Sequence, residues 1–208
     1  MVWQRTIVYG NQMTMGIRKR TSLGLVMALC LLGYYGCAPR LAPATPPGVA
    51  LEPGRYLTAY FRAPDFTPAQ AQYVLTPFPV ETAQGVAADS FQNLFMEELT
   101  QAWRANGLKL SPQGDTEVSG MVQRVAVRGR AFRFIRGKID ADLVVSASLT
   151  RRGDTLFACQ DRISLGSPVN PGPPAPKEEE LLLRQAARTF AVHLLNEMLL
   201  YWPTAEGK

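Results

Sequence analysis

The densest group of reactive side chains lies at residues 124–138, RVAVRGRAFRFIRGK. Arg124, Arg128, Arg130, Arg133, Arg136 and Lys138 stand there without an intervening acid. Arginine forks bind phosphate and carboxylate bidentately, and Phe132, Phe134 and Ile135 are interleaved with them. Alternate residues of a hairpin share a face, so Arg128 aligns with Arg130 and Phe132 with Phe134. Two readings follow. Arg128, Arg130, Arg133 and Arg136 contact an anionic partner: an anionic lipid, lipopolysaccharide or an envelope protein. In the other reading the hairpin is solvated and its arginines pair with Asp140, Asp142 and Asp161 across a sheet.

The remaining candidates are weaker. His193 and Glu197 stand four apart on a helix, a spacing that can juxtapose two metal ligands. The chain has one histidine, and zinc sites take three or four protein ligands, so a surface pair is expected. Asp140 and Asp142 could share a divalent cation, but they alternate along the wet face of a regular strand. Cys159 sits in an apolar stretch, LFAC, and is expected as a small buried hydrophobe. No Gly-x-Ser-x-Gly elbow, phosphate loop or Ser/His/Asp set stands in a suitable context. No catalytic residue, metal ligand or cofactor is therefore assigned. A binding or assembly module is the favoured class, and an envelope enzyme whose site is not legible in the sequence is the alternative.

The elements that must position these residues read as one α/β (α+β) unit over residues 73–202. Tyr73–Val80 is the first strand, with Pro77 and Pro79 placing its end at an edge. Asp89 and Gln92 have the spacing of a capping box. Phe91, Leu94, Phe95, Leu99, Ala102 and Trp103 follow at helical period, and Gly107 stops the helix. Residues 116–127 form a second strand with Val118, Gly120 and Val122 on one face; Met121, Val125 and Val127 are also apolar, which leaves the face ambiguous. Ile139, Ala141, Leu143, Val145, Ala147 and Leu149 alternate with Asp140, Asp142, Val144, Ser146, Ser148 and Thr150. Period two of this kind marks a strand with one buried and one wet face. Arg151–Asp154 turns it into a strand over 155–165. After a proline loop at 167–176, Lys177–Trp202 is a helix with Glu178, Glu179 and Glu180 in the dipole-favoured first turn. Leu183, Ala187, Phe190, Leu194 and Met198 are its apolar stripe. The expected order is β-α-β-β-β-α. It is a two-layer sandwich: about four mainly antiparallel strands with two helices on one face.

The N-terminal part has a different character. Arg18, Lys19 and Arg20 precede an apolar run from Ser22 to Tyr35 that ends in Gly36-Cys37. That run is shorter than the roughly 20 residues of a membrane span and has the length of a signal-peptide core, about 7–15 residues. Met15 would give a compact start, MGIRKR. A small residue before cysteine at the end of such a run resembles the lipobox of bacterial lipoproteins. The usual Leu, Val or Ile three residues before the cysteine is Tyr34 here, and Cys30 is the poorer match because Leu29 precedes it. The resemblance implies cleavage after Gly36 and a diacylglyceryl group on the Cys37 thiol. It also implies further acylation of the new amino group by fatty chains of the palmitate kind. Ala38, where an Asp would imply inner-membrane retention, points to the outer membrane facing the periplasm. Residues 37–55 contain five prolines and read as an extended tether. Residues 56–72 read as an irregular lead-in and 203–208 as a tail. The element order, Val118-Ser119-Gly120 and the Arg152-Gly153 turn also resemble the small α/β domains of lipopolysaccharide-assembly lipoproteins. That resemblance implies an assembly role and transfers no catalytic residue.

Charge supports this division. The whole chain has 22 Lys and Arg against 17 Asp and Glu. Removing Arg5, Arg18, Lys19 and Arg20 with residues 1–36, which hold no acid, leaves 18 cations against 17 acids. A nearly neutral mature chain gives no case for nucleic acid. With Cys30 removed and Cys37 acylated, Cys159 has no intramolecular partner for a disulfide. Cys37→Ser should abolish metabolic labelling by a fatty-acid analogue and stop maturation, read by gel mobility; labelling that persists contradicts the assignment.

Overall fold

The computed structural model describes residues 48–129, 138–168 and 177–200. These belong to one compact unit beginning at Pro43, and the unit before it lies outside the described residues. In chain order the elements are β1 (Ala59–Arg62), a 3-10 turn (Pro68–Gln70), β2 (Gln72–Leu75), β3 (Ala83–Gln84), α1 (Ala88–Ala105), β4 (Lys109–Leu110), β5 (Thr116–Arg128), β6 (Asp140–Arg151), β7 (Asp154–Gly166) and α2 (Glu178–Leu199). Among the described residues, no helix is long and apolar enough to cross a membrane.

The fold is mixed α/β, and the sheet is larger than the sequence suggests. Seven strands are described, in the order β1-β7-β6-β5-β2-β4, with β3 also against β5. Pairings from β1 through β5 across β7 and β6 are antiparallel, whereas β2 and β3 run parallel to β5 and β4 runs parallel to β2. The expected four mainly antiparallel strands are thus corrected to a mixed sheet. Strands of two to four residues are too short to display a period of two. A parallel pair also needs a crossover of a dozen or more residues, which α1 supplies between β2 and β5. The expected irregular stretch 56–72 supplies β1, which pairs Ala59–Arg62 with Gln160–Phe157.

The first expected strand stops at Leu75, because Pro77 and Pro79 cannot donate to a ladder. Between them Phe78 turns inward and is fully buried. Its ring lies on Gly120, where a Cβ would come within 2.3 Å of the ring edge. Any larger residue at 120 would displace that ring.

The ambiguous face of β5 is resolved by a bulge. Val118 faces Leu149 and Val122 faces Val145, but after the register shift Arg124 faces Val144 and Val125 faces Leu143. One extra residue, Gln123, reverses the parity of the strand. Val118, Val122, Val125 and Val127 therefore all reach the core, each 6% exposed or less. The alternating residues from Ile139, just before β6, to Leu149 are buried as expected. Ser146, expected in water, is buried at 8% exposure. It lies between Met121 of β5 and Gln160 of β7.

The helices lie against each other, and their apolar faces join the same core. Phe91, Phe95, Leu99 and Trp103 of α1 and Leu183, Ala187, Phe190, Leu194 and Met198 of α2 are buried. Phe95 links the layers, with ring centroids 5.3 Å from Phe78 and 5.5 Å from Phe190. The capping box is not formed. Ala87 is the N-cap, no side chain caps the helix, and Asp89 falls inside the first turn, where the dipole still favours an acid. Gly107 ends α1 at φ +71. The second helix is described to Leu199, and the expected continuation to Trp202 lies outside the described residues. Leu143→Ala should cost about 2–5 kcal/mol by loss of contacts and cavity formation, whereas Ser146→Ala should cost about 1 kcal/mol or less. Urea unfolding of the two variants checks the difference.

Candidate functional site

Of the residues assigned to an anionic partner, Arg128 is described at the end of β5. Arg130, Arg133 and Arg136 lie outside the described residues, as do Gly36 and Cys37. The Arg128 guanidinium binds the Asp142 carboxylate, whose other oxygen accepts a 2.6 Å bond from Ser164 Oγ. Lys138 lies 3.3 Å from Asp140, and Arg124 donates to Gln84 Oε1 at 3.4 Å. At the base of the hairpin, Arg128 is thus neutralised across the strands by Asp142, and Lys138 along its own segment by Asp140. Asp161, the third acid expected to take an arginine, is engaged elsewhere.

That engagement corrects the reading of His193 and Glu197 as a surface pair. Asp161 is on the helix-covered face of β7, and its Oδ2 lies 2.8 Å from His193 Nδ1. Its Oδ1 accepts the Thr58 hydroxyl at 3.2 Å and the Arg162 N–H at 2.9 Å. Glu197 is fully buried. Its carboxylate accepts the Tyr56 N–H at 2.8 Å, with the Arg55 and Leu57 N–H groups at 3.4 and 3.5 Å. Each residue thus fastens the segment before β1, or the sheet, to α2. The aspartate is shared by a threonine and a histidine, so no nucleophile–base–acid relay is formed here. Cys159 is fully buried, and burial, with the Asp161 and Glu197 charges beside it, pushes its thiol up, away from reactivity. Among the described residues, no three His, Cys, Asp or Glu side chains are grouped to hold a metal ion.

The second polar cluster joins the helices. Glu98, 2% exposed, lies on the apolar face of α1 and meets two guanidinium groups of α2. Arg184 Nη1 donates to Glu98 Oε1 at 2.7 Å and to Glu97 Oε2 at 3.0 Å. Arg188 Nε donates to Glu98 Oε2 at 2.9 Å. Burial alone would raise the Glu98 carboxyl, but the hydrogen bonds and charges of Arg188 and Arg184 outweigh it and hold the group below the usual carboxylate range. The sequence carried a sign of this clamp: Glu98 is three residues after Phe95 in the apolar stripe, and Arg184 and Arg188 are one turn apart. A carboxylate at a core position requires a partner, but only the packing of the helices identifies which one.

Beside the clamp, the first turns of α1 and α2 border an open groove of about 750 Å³. Val86, Leu94 and Leu183 give it apolar walls, and Glu97, Glu179 and Glu180 stand around them. Its Gly85 rests on Val127, where a Cβ would come within 2.7 Å of the Val127 carbonyl oxygen. The groove therefore lies beside the end of β5. The groove offers a binding partner apolar walls bordered by carboxylates.

No family model matches the chain, and no curated protein matches it significantly. Among solved structures, it is similar to a PelC dodecamer from Paraburkholderia phytofirmans at 12% identity and TM-score 0.42, covering 67% of this chain and 95% of that one. It is also similar to a minor lipoprotein from Acinetobacter baumannii (14%, TM-score 0.41, covering 65% and 97%) and to lipoprotein GNA1162 from Neisseria meningitidis (10%, TM-score 0.38, covering 60% and 99%). Likeness at these scores carries no argument about what this chain does.

The Glu98 clamp predicts acid lability of a definite sign. A carboxyl whose folded value lies below its unfolded value of about 4.3 contributes stability that is complete above that pH. The contribution is lost as pH falls through the folded value. Glu98→Gln should flatten the pH dependence of unfolding free energy below about pH 4.3. Urea titrations of both proteins between neutral and acid pH measure it.

Proposed function

We propose that this protein is a lipid-anchored envelope protein, held through Cys37 at the periplasmic face of the outer membrane, that works as a binding or assembly module without catalysis. The observation that carries the reading is the occurrence, in one chain, of a cationic and apolar leader ending in Gly36-Cys37, a proline-rich tether and the acid-free basic segment 124–138. A single acyl chain holds a protein only marginally, whereas two or more anchor it stably. The tether, at roughly 3.1 Å per residue when extended, lets the domain work some tens of Å from the bilayer. The buried titratable groups support a binding role, since Glu98, Asp161 and Glu197 are all engaged in holding helices and strands together. The basic segment contacts an anionic surface, with Arg130, Arg133 and Arg136 as the contacting cations. Arg128 contributes less, because it already holds Asp142.

Each basic residue near an anionic membrane contributes on the order of 1 kcal/mol. Arg130→Gln, Arg133→Gln and Arg136→Gln together should weaken binding of the chain from residue 38 onward to anionic vesicles or lipopolysaccharide by about 3 kcal/mol. The effect should shrink with salt, because exposed charges are screened over roughly 8–10 Å at physiological strength. Co-sedimentation at low and moderate salt tests it, and equal binding by parent and variant refutes the contact.

A further inference from the structure

One stretch of the sheet's edge is covered by no described strand. At the far end the sheet stops in β4, which is two residues long. At the near end β1 runs along β7 only from Phe157 to Gln160, and β7 continues to Gly166. Two bonds show which backbone groups face this edge. The Leu156 carbonyl accepts the Ala63 N–H at 2.8 Å, and the Arg162 N–H donates to Thr58 Oγ1 at 3.2 Å. On the opposite parity, the Ser167 N–H donates inward to the Ile139 carbonyl. By the alternation of a strand, the Arg162 carbonyl and both backbone groups of Ser164 and Gly166 therefore point outward. Open edges are normally guarded by lysine, proline or a bulge, and residues 162–166, RISLG, contain no lysine or proline. Arg162 guards against a second copy only in registers that bring two arginines together.

The side chains favour one such occupant. Two copies paired antiparallel about Ser164 set Arg162 opposite the partner's Gly166 and Ile163 opposite the partner's Leu165. Within one copy Gly166 faces Asp140 of β6, and the carboxylate leans over it: a Cβ on Gly166 would lie 3.1 Å from Asp140 Oδ1. Because glycine has no side chain, an incoming Arg162 can extend across it to that carboxylate. Arg162 is exposed and joins none of the ion pairs among the described residues, and Asp140 has the exposed Lys138 at 3.3 Å. A two-fold axis makes the Arg162–Asp140 contact twice. On the helix side, half-buried Leu165 gains the partner's Ile163 as a cross-strand neighbour.

We propose that β7 pairs with β7 of a second copy about a two-fold axis at Ser164, joining the two sheets edge to edge. The Ser164 N–H donates to the carbonyl of the partner's Ser164, and reciprocally. The Gly166 N–H donates to the carbonyl of the partner's Arg162, again twice. The Arg162 N–H stays with Thr58, and Pro168 ends the ladder before it meets β1. One patch serves both copies, so the assembly closes at two. This contact goes beyond the function proposed above and requires neither the lipid anchor nor the basic segment.

The test uses the full-length protein in detergent, with its protein mass measured by light scattering at high protein concentration and low salt. Five forms are compared: the parent, Arg162→Glu, Asp140→Lys, these two combined, and Ser164→Pro. The parent should be dimeric, each single charge reversal should halve the mass, and the combined form should be dimeric again. Recovery in the combined form excludes misfolding as the cause of dissociation. Ser164→Pro removes an outward N–H and spares the bonds to β6, so it should be monomeric with an unchanged far-ultraviolet spectrum. Amide exchange of Ser164 and Gly166 should be slower in the parent than in Arg162→Glu. A monomeric parent or an assembly larger than two overturns the proposal. So does a dimer that withstands either charge reversal or the folded proline variant, or a combined form that stays monomeric.

Discussion

The rest of the structure depends on the strict alternation of β6. Of its twelve residues, eleven pair with β5 on one edge and all twelve with β7 on the other. A slip of one residue would move Leu143, Val145 and Leu149 out of the core and bring Asp142 and Val144 into it. The strand therefore imposes its register on both neighbours. The bulge at Gln123 is how β5 meets that demand: its apolar residues stand at even positions before it and odd positions after it, and one inserted residue puts both sets against β6. The same register sets Arg128 beside Asp140 and within reach of Asp142, which determines how the hairpin base is neutralised.

Hydrophobic burial places the helices on the sheet, but carboxylates fix where they sit. Glu98 draws two arginines of α2 against α1, Asp161 ties β7 to His193, and Glu197 gathers the backbone that leads into β1. Apolar contacts are not directional, whereas a buried carboxylate without its partners is costly. Sliding α2 by one turn would keep much of its apolar stripe and break all three attachments. The polar groups of this core thus specify one packing arrangement among several that would bury similar area.

The outward-facing charges have a different distribution. Cations are concentrated in the sequence between β5 and β6, and acids in the first turn of α2.

Both helices and the central strand were legible in the residues, because each has a local signature, an apolar spacing of 3.6 or 2. The composition of the basic segment was equally plain. What the sequence could not decide was how the short pieces associate. Two-residue strands have no period, so β3 and β4 and the parallel half of the sheet emerge only when α1 carries the chain across. The bulge was invisible because apolar residues on both parities of β5 allow either face until β6 imposes its own. His193 and Glu197 looked like a surface pair, since i,i+4 spacing reports proximity along one helix and nothing about what packs against it. The groove and its acidic border likewise exist only in the assembled molecule. Their residues come from two helices almost 90 positions apart, brought together by burial of the stripes between them.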